Sequence, residues 1–237
     1  MEPYYYSIRP EALEGTELDR FLAMGWYRMH QGIFTSSHLE LDQPYRVHWL
    51  RYALKELDDR GSHKRIRNRN KSFHYTIEDF NGIREDQREL HRRYRASIDF
   101  DGAITIEDCL FGSQETRQNI YNTKVISVFD GDRLIAGGYF DVGATAAASI
   151  LHFFDPRHYR YSLGKYLILL TVDYLIGHGY EYYYPGYVVE GLDKMNYKLF
   201  LGREIAQYFD PESIVWNKFH ERILIKQHPQ QEDDDKS

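Results

Sequence analysis

The chain has 237 residues with a formal net charge of −6, and its only cysteine is Cys109. One cysteine excludes a disulfide within the chain and any zinc or iron–sulfur site built on several thiolates. The net negative charge argues against bulk electrostatic binding of nucleic acid, DNA included, because phosphate binding needs clustered lysine and arginine.

The sequence does not predict a signal peptide or a membrane-spanning segment. Residues 1–4 lack the basic and apolar parts of a signal peptide, and no apolar stretch reaches the length of a membrane span. We therefore expect a cytoplasmic protein without a membrane partner. Four acidic residues at 232–235 predict a disordered acidic tail over residues 227–237.

The first half of the chain combines short predicted elements with basic segments. Apolar spacing of three and four predicts a helix over residues 11–24, and alternation around Trp49 predicts a hairpin from residues 33–40 and 45–52. Six lysines and arginines lie within residues 60–71. The next predicted elements are a strand over 73–80, a charged helix over 84–95 and a short helix over 105–112.

The second half predicts a run of strands around one long helix. The predicted strands span residues 123–129, 134–142, 149–154, 180–189 and 212–219. Gly131 lies in the turn between the first two. The long helix spans residues 162–177, with Ser162 as its N-cap and two glycines, Gly177 and Gly179, at its C-terminal end.

This order of elements is the core order of the GNAT-like acyltransferase fold, an α+β fold with a mixed sheet flanked by helices. In that fold the strands before and after the long helix separate, and the acyl donor and the amine meet between them. We expect such a gap between strands 149–154 and 180–188. The predicted domains are an N-terminal lobe (1–75), a GNAT-like aminoacyltransferase domain (76–226) and the acidic tail (227–237).

A lysine–tyrosine motif, residues 182–187 and 194–198, is the first candidate for chemistry. Pro185 and Gly186 break the strand, so the backbone can turn and approach a ligand closely. The lysines and tyrosines that follow could hold a carboxylate or a phosphate. The residues alone leave open a second interpretation, in which a solvated loop packs its tyrosines on the sheet.

The motifs of the second half resemble the C-terminal half of the arginyl- and leucyl-tRNA–protein transferases. That family reads S-L-G, a helix, Y-x-Y-x-G-Y and K-M-x-Y-K, as residues 162–164, 182–187 and 194–198 do here. The first half is similar more loosely, over residues 25–28, 64–70 and 90–94. The resemblance therefore covers most of the chain.

The resemblance implies transfer of arginine or leucine from aminoacyl-tRNA to the N-terminal α-amine of proteins that begin with Asp or Glu, an N-degron tag for degradation. The ester is already activated and an α-amine with a pKa near 8 is partly neutral, so positioning can supply most of the catalysis without a cofactor. From the resemblance we expect the catalytic residues to be Tyr187, Lys194, Tyr197 and Lys198. From the same resemblance we expect the substrate-binding residues to be Arg69, Gly186 and Asn196.

The resemblance also implies that two basic segments contact the acceptor stem of tRNA. The residues concerned are Lys64, Arg65, Arg67, Arg92 and Arg93. Closely spaced lysine and arginine neutralise phosphates, which agrees with this role. The other interpretation of the helix over 84–95 is a surface helix with ion pairs between residues four apart.

One departure from the family lies in residues 32–38, where its members carry a cysteine-rich stretch and this chain has no cysteine. A metal, haem or iron–sulfur role of those cysteines cannot be carried over, and we expect no metal. Two alternatives remain: a non-catalytic module that binds N-termini or tRNA, and an acyl-coenzyme A-dependent enzyme. The second is disfavoured because the turn before Gly164 has bulky tyrosines and one glycine, a poor cradle for pyrophosphate.

Overall fold

The computed structural model describes residues 3–99, 103–113 and 118–225. The helices are α1 (Gly15–Ala23), α2 (Gly61–Asn70), α3 (Glu85–Arg95), α4 (Ile106–Phe111) and α5 (Leu163–Gly177). The strands are β1 (Tyr5–Ile8), β2 (Tyr27–Met29), β3 (Gly32–Ser36), β4 (His38–Glu40), β5 (Pro44–Ala53), β6 (His74–Asp79), β7 (Thr123–Asp130), β8 (Arg133–Val142), β9 (Ala146–Phe154), β10 (Tyr182–Val189), β11 (Ala206–Asp210) and β12 (Val215–Lys218). The predicted acidic tail, residues 227–237, lies outside the described residues.

The main sheet has the order β12-β11-β5-β10-β9-β8-β7-β6, with β4 paired to β5 as well. β9 and β10 are parallel, and their neighbours in the sheet pair antiparallel. Helices cover both faces: Phe140 of β8 belongs to the core beneath α5, and its neighbour Tyr139 belongs to the core beneath α3. This is the predicted α+β class, a mixed sheet flanked by helices.

The predicted hairpin of residues 33–40 and 45–52 is wrong in its first strand. β3 pairs with β1 and β2 in a separate three-stranded sheet, and only the short β4 pairs with β5. The indole nitrogen of Trp49 donates to the Ser36 carbonyl at 3.1 Å, so β3 lies over a β5 side chain rather than beside β5. β5 itself is an inner strand of the main sheet, and the division of the chain at residue 75 stays a prediction.

A buried ion pair joins the small sheet to the main one. Arg28 of β2 contacts Asp141 of β8 at 2.9 Å, and both side chains are almost fully buried. The same guanidinium donates to the Thr123 hydroxyl at 3.1 Å and to the Leu110 carbonyl at 3.0 Å. Two buried charges are tolerable here because each is paired and hydrogen-bonded.

The gap between β9 and β10 is present, as predicted. Their ladder ends with Tyr184 opposite Ala148, and beyond it β9 follows β8 while β10 follows β5. Pro185 has no N–H to donate, and Gly186 adopts a φ of 103° that an L-residue rarely adopts. These two residues therefore break the ladder and shift the register of β10 against β5.

The vertex of this gap is the point where the ladder ends, and a tyrosine closes it from the side of the small sheet. The Tyr27 hydroxyl lies against the carbonyl oxygens of Ser149 and Tyr184, the latter at 3.1 Å. These carbonyls belong to the two strands as they begin to separate. The Tyr27 hydroxyl thus takes the place of a ladder hydrogen bond that is lost where the two strands separate.

Helix α5 follows a 3₁₀ helix (Pro156–Tyr161). Ser162 is the N-cap residue of α5, as predicted, but its side chain makes no capping hydrogen bond. Ser162 has left-handed backbone angles (φ 54°, ψ 45°), whereas a capping serine needs extended ones to reach the first turn. In the described part of the chain, no helix combines the length and the apolarity needed to cross a bilayer.

Candidate active site

The lysine–tyrosine motif folds back on itself where β10 ends. A 3₁₀ helix (Asp193–Leu199) follows β10, and Lys198 Nζ donates to the Tyr187 carbonyl at 2.9 Å. The same ammonium lies 4.6 Å from the centre of the Tyr187 ring and 5.8 Å from that of Tyr197. A Cβ on Gly186 would stand 3.3 Å from Nζ, so glycine leaves room for the lysine. The structure brings these four predicted residues together.

Lys198 is a partly buried cation without a carboxylate partner among the described residues. Burial lowers the pKa of its ammonium from 10.5 to about 8. Within the described ranges no acidic side chain lies at ion-pair distance from Lys198, and its contacts are a carbonyl and aromatic faces. The Tyr52 hydroxyl fixes the backbone beneath it by donating to the Lys198 carbonyl at 3.0 Å. This arrangement can accept an incoming carboxylate or phosphate.

Three other predicted residues do not join this cluster. Lys194 is exposed in the first turn of the 3₁₀ helix. Asn196 donates to the Asp193 carboxylate at 2.7 Å, a bond within the same helix. Arg69 donates to the Arg160 carbonyl at 2.6 Å, which joins α2 to the segment before α5 rather than to the motif. Their roles in substrate binding and catalysis stay predictions.

The floor of the gap carries polar groups that sequence reasoning missed. Tyr183 is 1 % exposed, and its hydroxyl has no hydrogen-bond partner among the described residues. Ser149 Oγ lies 3.4 Å from His152 Nε2, and burial lowers the pKa of that imidazole to about 4. The His152 ring lies over Gly138, where a Cβ would come within 2.5 Å of it. Only Tyr183 had a signal in the sequence, its place just before the Pro-Gly break.

The two predicted basic segments converge at the start of α5. Asn70, at the end of α2, donates to the Tyr161 carbonyl at 2.9 Å, and the ring of Tyr94 in α3 lies 4.9 Å from that of Phe154 at the end of β9. Phe154 in turn lies beneath Gly164 of α5. The ends of α2 and α3 therefore border the same opening of the gap.

The predicted tRNA-binding residues differ in how free their charges are. Lys64, Arg65 and Arg92 are exposed, and none of them forms an ion pair with a described residue. Arg67 is bound to Asp59 and Asp173, each at 2.6 Å, and Arg93 pairs with Glu89 on its own helix. The surface-helix interpretation of α3 thus holds for Arg93, while Arg92 has no ion-pair partner in the described part of the chain.

Part of the cysteine-free segment 32–38 borders a cavity. Residues 36–38 line a space of about 100 Å³ together with Arg46 and Trp49 of β5 and the end of β11. Across the described ranges, no group of three His, Cys, Asp or Glu side chains is placed to hold a metal ion. Burial raises the pKa of the Cys109 thiol to about 11, which keeps it protonated. The expectation of a metal-free protein stays a prediction.

A sequence model of the arginine-tRNA-protein transferase C terminus matches residues 84–205, just over half of the chain. The chain belongs to the arginine-tRNA-protein transferase family. The match contains β9, α5, β10 and the whole lysine–tyrosine motif. Family membership makes the protein an aminoacyl-tRNA–protein transferase and confirms the resemblance found in the sequence.

Curated proteins similar to this chain include bacterial aspartate/glutamate leucyltransferases. The aspartate/glutamate leucyltransferase of Shewanella sp. (strain MR-7) is 28 % identical over 81 % of this chain and 78 % of its own length. That of Acinetobacter baumannii is 38 % identical over 31 % of this chain and 27 % of its own. A crystal structure of a C-terminal DUF2156 domain from Agrobacterium fabrum is similar at a TM-score of 0.46 and 14 % identity, covering 63 % of this chain and 50 % of that one. A likeness of that size carries no argument.

Proposed function

We propose that the chain transfers leucine or arginine from aminoacyl-tRNA to the N-terminal α-amine of proteins that begin with Asp or Glu, and so marks them for degradation. The names of the curated relatives support leucine as the donor and acidic N-terminal residues as acceptors. The observation that carries the proposal is the unpaired Lys198 ammonium beside the gap between β9 and β10.

In the proposed reaction the neutral α-amine attacks the carbonyl carbon of the ester that joins the amino acid to tRNA. A C–N bond forms and the ester C–O bond breaks. The proton lost by the amine ends on the departing ribose hydroxyl. Holding both reactants in the gap converts a bimolecular encounter into an effectively unimolecular one, worth up to roughly 7–11 kcal/mol.

The residues of the motif take the following proposed roles. Lys198 pairs with the acidic side chain of the acceptor, because its ammonium is partly desolvated and no carboxylate of the described residues pairs with it. Tyr187 and Tyr197, whose rings flank that ammonium, orient the amine. The proposal assigns Lys194 and Asn196, on the same 3₁₀ helix, to contacts with the rest of the acceptor peptide.

The proposed tRNA site is the basic border around the start of α5. Lys64, Arg65 and Arg92 carry charges that no carboxylate of the described residues neutralises, so they carry more of the proposed phosphate contact than Arg67 and Arg93. Arg69 lies on the same border through its bond to the Arg160 carbonyl. The activated ester would then enter the gap beside Phe154.

The test is a transfer assay with the purified full chain. Radiolabelled leucyl-tRNA, arginyl-tRNA and acetyl-coenzyme A are each supplied with peptides that begin with Asp, Glu or Ala. We expect label on the Asp and Glu peptides from one of the tRNAs and little on the Ala peptide. Binding of peptide or tRNA without any transfer would instead favour the non-catalytic module, and transfer from acetyl-coenzyme A alone would favour the coenzyme-dependent enzyme.

A further inference from the structure

We infer that the Tyr183 hydroxyl donates a hydrogen bond to the carbonyl oxygen of the aminoacyl ester and stabilises the oxyanion formed there. This inference rests on the proposed function. It assigns a residue to the chemical step, whereas Lys198 and the basic border serve the binding of the two substrates.

Tyr183 carries a buried hydroxyl at the point where β9 and β10 begin to separate. Tyr183 is 1 % exposed in the core beneath α5, and its hydroxyl meets no hydrogen-bond acceptor in the described ranges. Most buried polar groups in proteins are paired, and an unpaired one destabilises the fold. An unpaired group at a functional cleft is explained if its partner is a ligand.

The position of Tyr183 explains why its hydroxyl lacks a partner. The residue pairs with Ala147 in the short β9–β10 ladder, one step before the strands separate. The two carbonyl oxygens at the vertex, those of Ser149 and Tyr184, already face the Tyr27 hydroxyl. The Ser149 hydroxyl lies close enough to lower the pKa of the phenol, against the effect of burial, but it does not meet the distance and angle of a hydrogen bond with Tyr183. The Ser149 oxygen lies 3.4 Å from His152 Nε2.

The chemistry of the step requires a donor at this place. When the amine attacks, the C=O electron pair moves onto oxygen, and that charge returns to re-form C=O as the ester C–O bond breaks. A preorganised donor in a dry site stabilises this charge more than water does. Burial raises the pKa of the Tyr183 phenol, so the group keeps its proton and donates it without transferring it.

The test is Tyr183→Phe, assayed for leucyl or arginyl transfer to an Asp peptide. We expect kcat to fall roughly 100- to 1,000-fold, the usual effect of removing one oxyanion donor, with the KM for the peptide unchanged. The thermal midpoint should stay the same or rise, because the removed hydroxyl had no partner in the free protein. The matched control is Tyr139→Phe.

Tyr139 is also fully buried, but its hydroxyl donates to Gln87 Oε1 at 2.9 Å beneath α3. Tyr139→Phe should therefore lower the thermal midpoint and leave kcat per folded molecule unchanged. A wild-type kcat in Tyr183→Phe would overturn this inference and leave the proposed function standing. So would a loss of activity that matches a loss of folded protein, since that outcome indicates a structural hydroxyl. No transfer by the wild type would overturn the proposed function, and the inference with it.

Discussion

At the scale of single residues, two features of the surroundings of Lys198 have opposite effects on its pKa. Its ammonium is desolvated, which favours the neutral form, and aromatic faces surround it, which favour the cation. The first effect is the larger, and the pKa falls to about 8. A carboxylate entering the site would restore the charge, so binding of the acceptor and protonation of Lys198 are linked.

The pH dependence of transfer tests this linkage. The α-amine must be neutral, so kcat/KM for an Asp peptide should rise through a pKa near 8. Lys198 must be protonated in the free enzyme, so kcat/KM should fall above pH about 8. Lys198→Arg, whose guanidinium stays charged, should lose the falling limb. A wild-type profile that rises steadily to pH 10 would contradict the role of Lys198.

The lowered pKa of Lys198 also makes the stability of the fold depend on pH, which can be measured without a transfer assay. Folding lowers the pKa from 10.5 to about 8, so the unfolded chain binds more protons between these values. The contribution of Lys198 to stability therefore rises as the pH increases from 8 to 10.5 and is constant below that window. Lys198→Met should remove this rise in the free energy of unfolding.

At the scale of elements, the sequence predicted long periodic segments well and short ones poorly. The strands and helix from residue 123 to 189 match their predicted bounds closely, since their apolar patterns extend over many residues. β1, β2 and β11 have five residues or fewer and were not predicted. The split between β9 and β10 was expected from the GNAT-like order of elements, because no periodicity shows that two strands separate.

The site was predictable for the same reason, and only in part. The cluster around Lys198 is local in sequence, so the motif revealed it. The role of Tyr183 depends on Tyr27, which reaches the vertex from more than a hundred residues away. Such a contact leaves no trace in the local pattern of β10.

The convergence of α2 and α3 gives a prediction about tRNA. Each phosphate contact contributes close to one unit to the slope of log Kd against log salt concentration. The variant Arg65→Ala/Arg92→Ala should therefore bind aminoacyl-tRNA more weakly and lower that slope by about two units. The control, Lys218→Ala/Arg222→Ala, removes two exposed charges beyond α5 and should leave the slope unchanged. Equal slopes for the two variants would place the tRNA elsewhere.

At the scale of the whole molecule, the ion pair of Arg28 and Asp141 makes the small sheet part of the main fold. Arg28→Ala would leave the Asp141 carboxylate buried without its partner. We expect a loss of about 3–5 kcal/mol in the free energy of unfolding, measured by denaturant titration. The matched control is Arg203→Ala, which breaks the exposed pair with Glu221 and should cost about 1 kcal/mol or less. Similar losses in both variants would show that the buried pair contributes no more to the stability of the fold than the exposed pair does.

The position of the Tyr27 hydroxyl bears on how much of the aminoacyl ester is transferred rather than hydrolysed. An aminoacyl ester is also a substrate for water, and every ester hydrolysed in the gap wastes a charged tRNA. The vertex of the gap is covered by this phenol, which comes from β2 and not from the lysine–tyrosine motif. In the proposed reaction the small sheet therefore influences the ratio of transfer to hydrolysis, although it lies outside that motif.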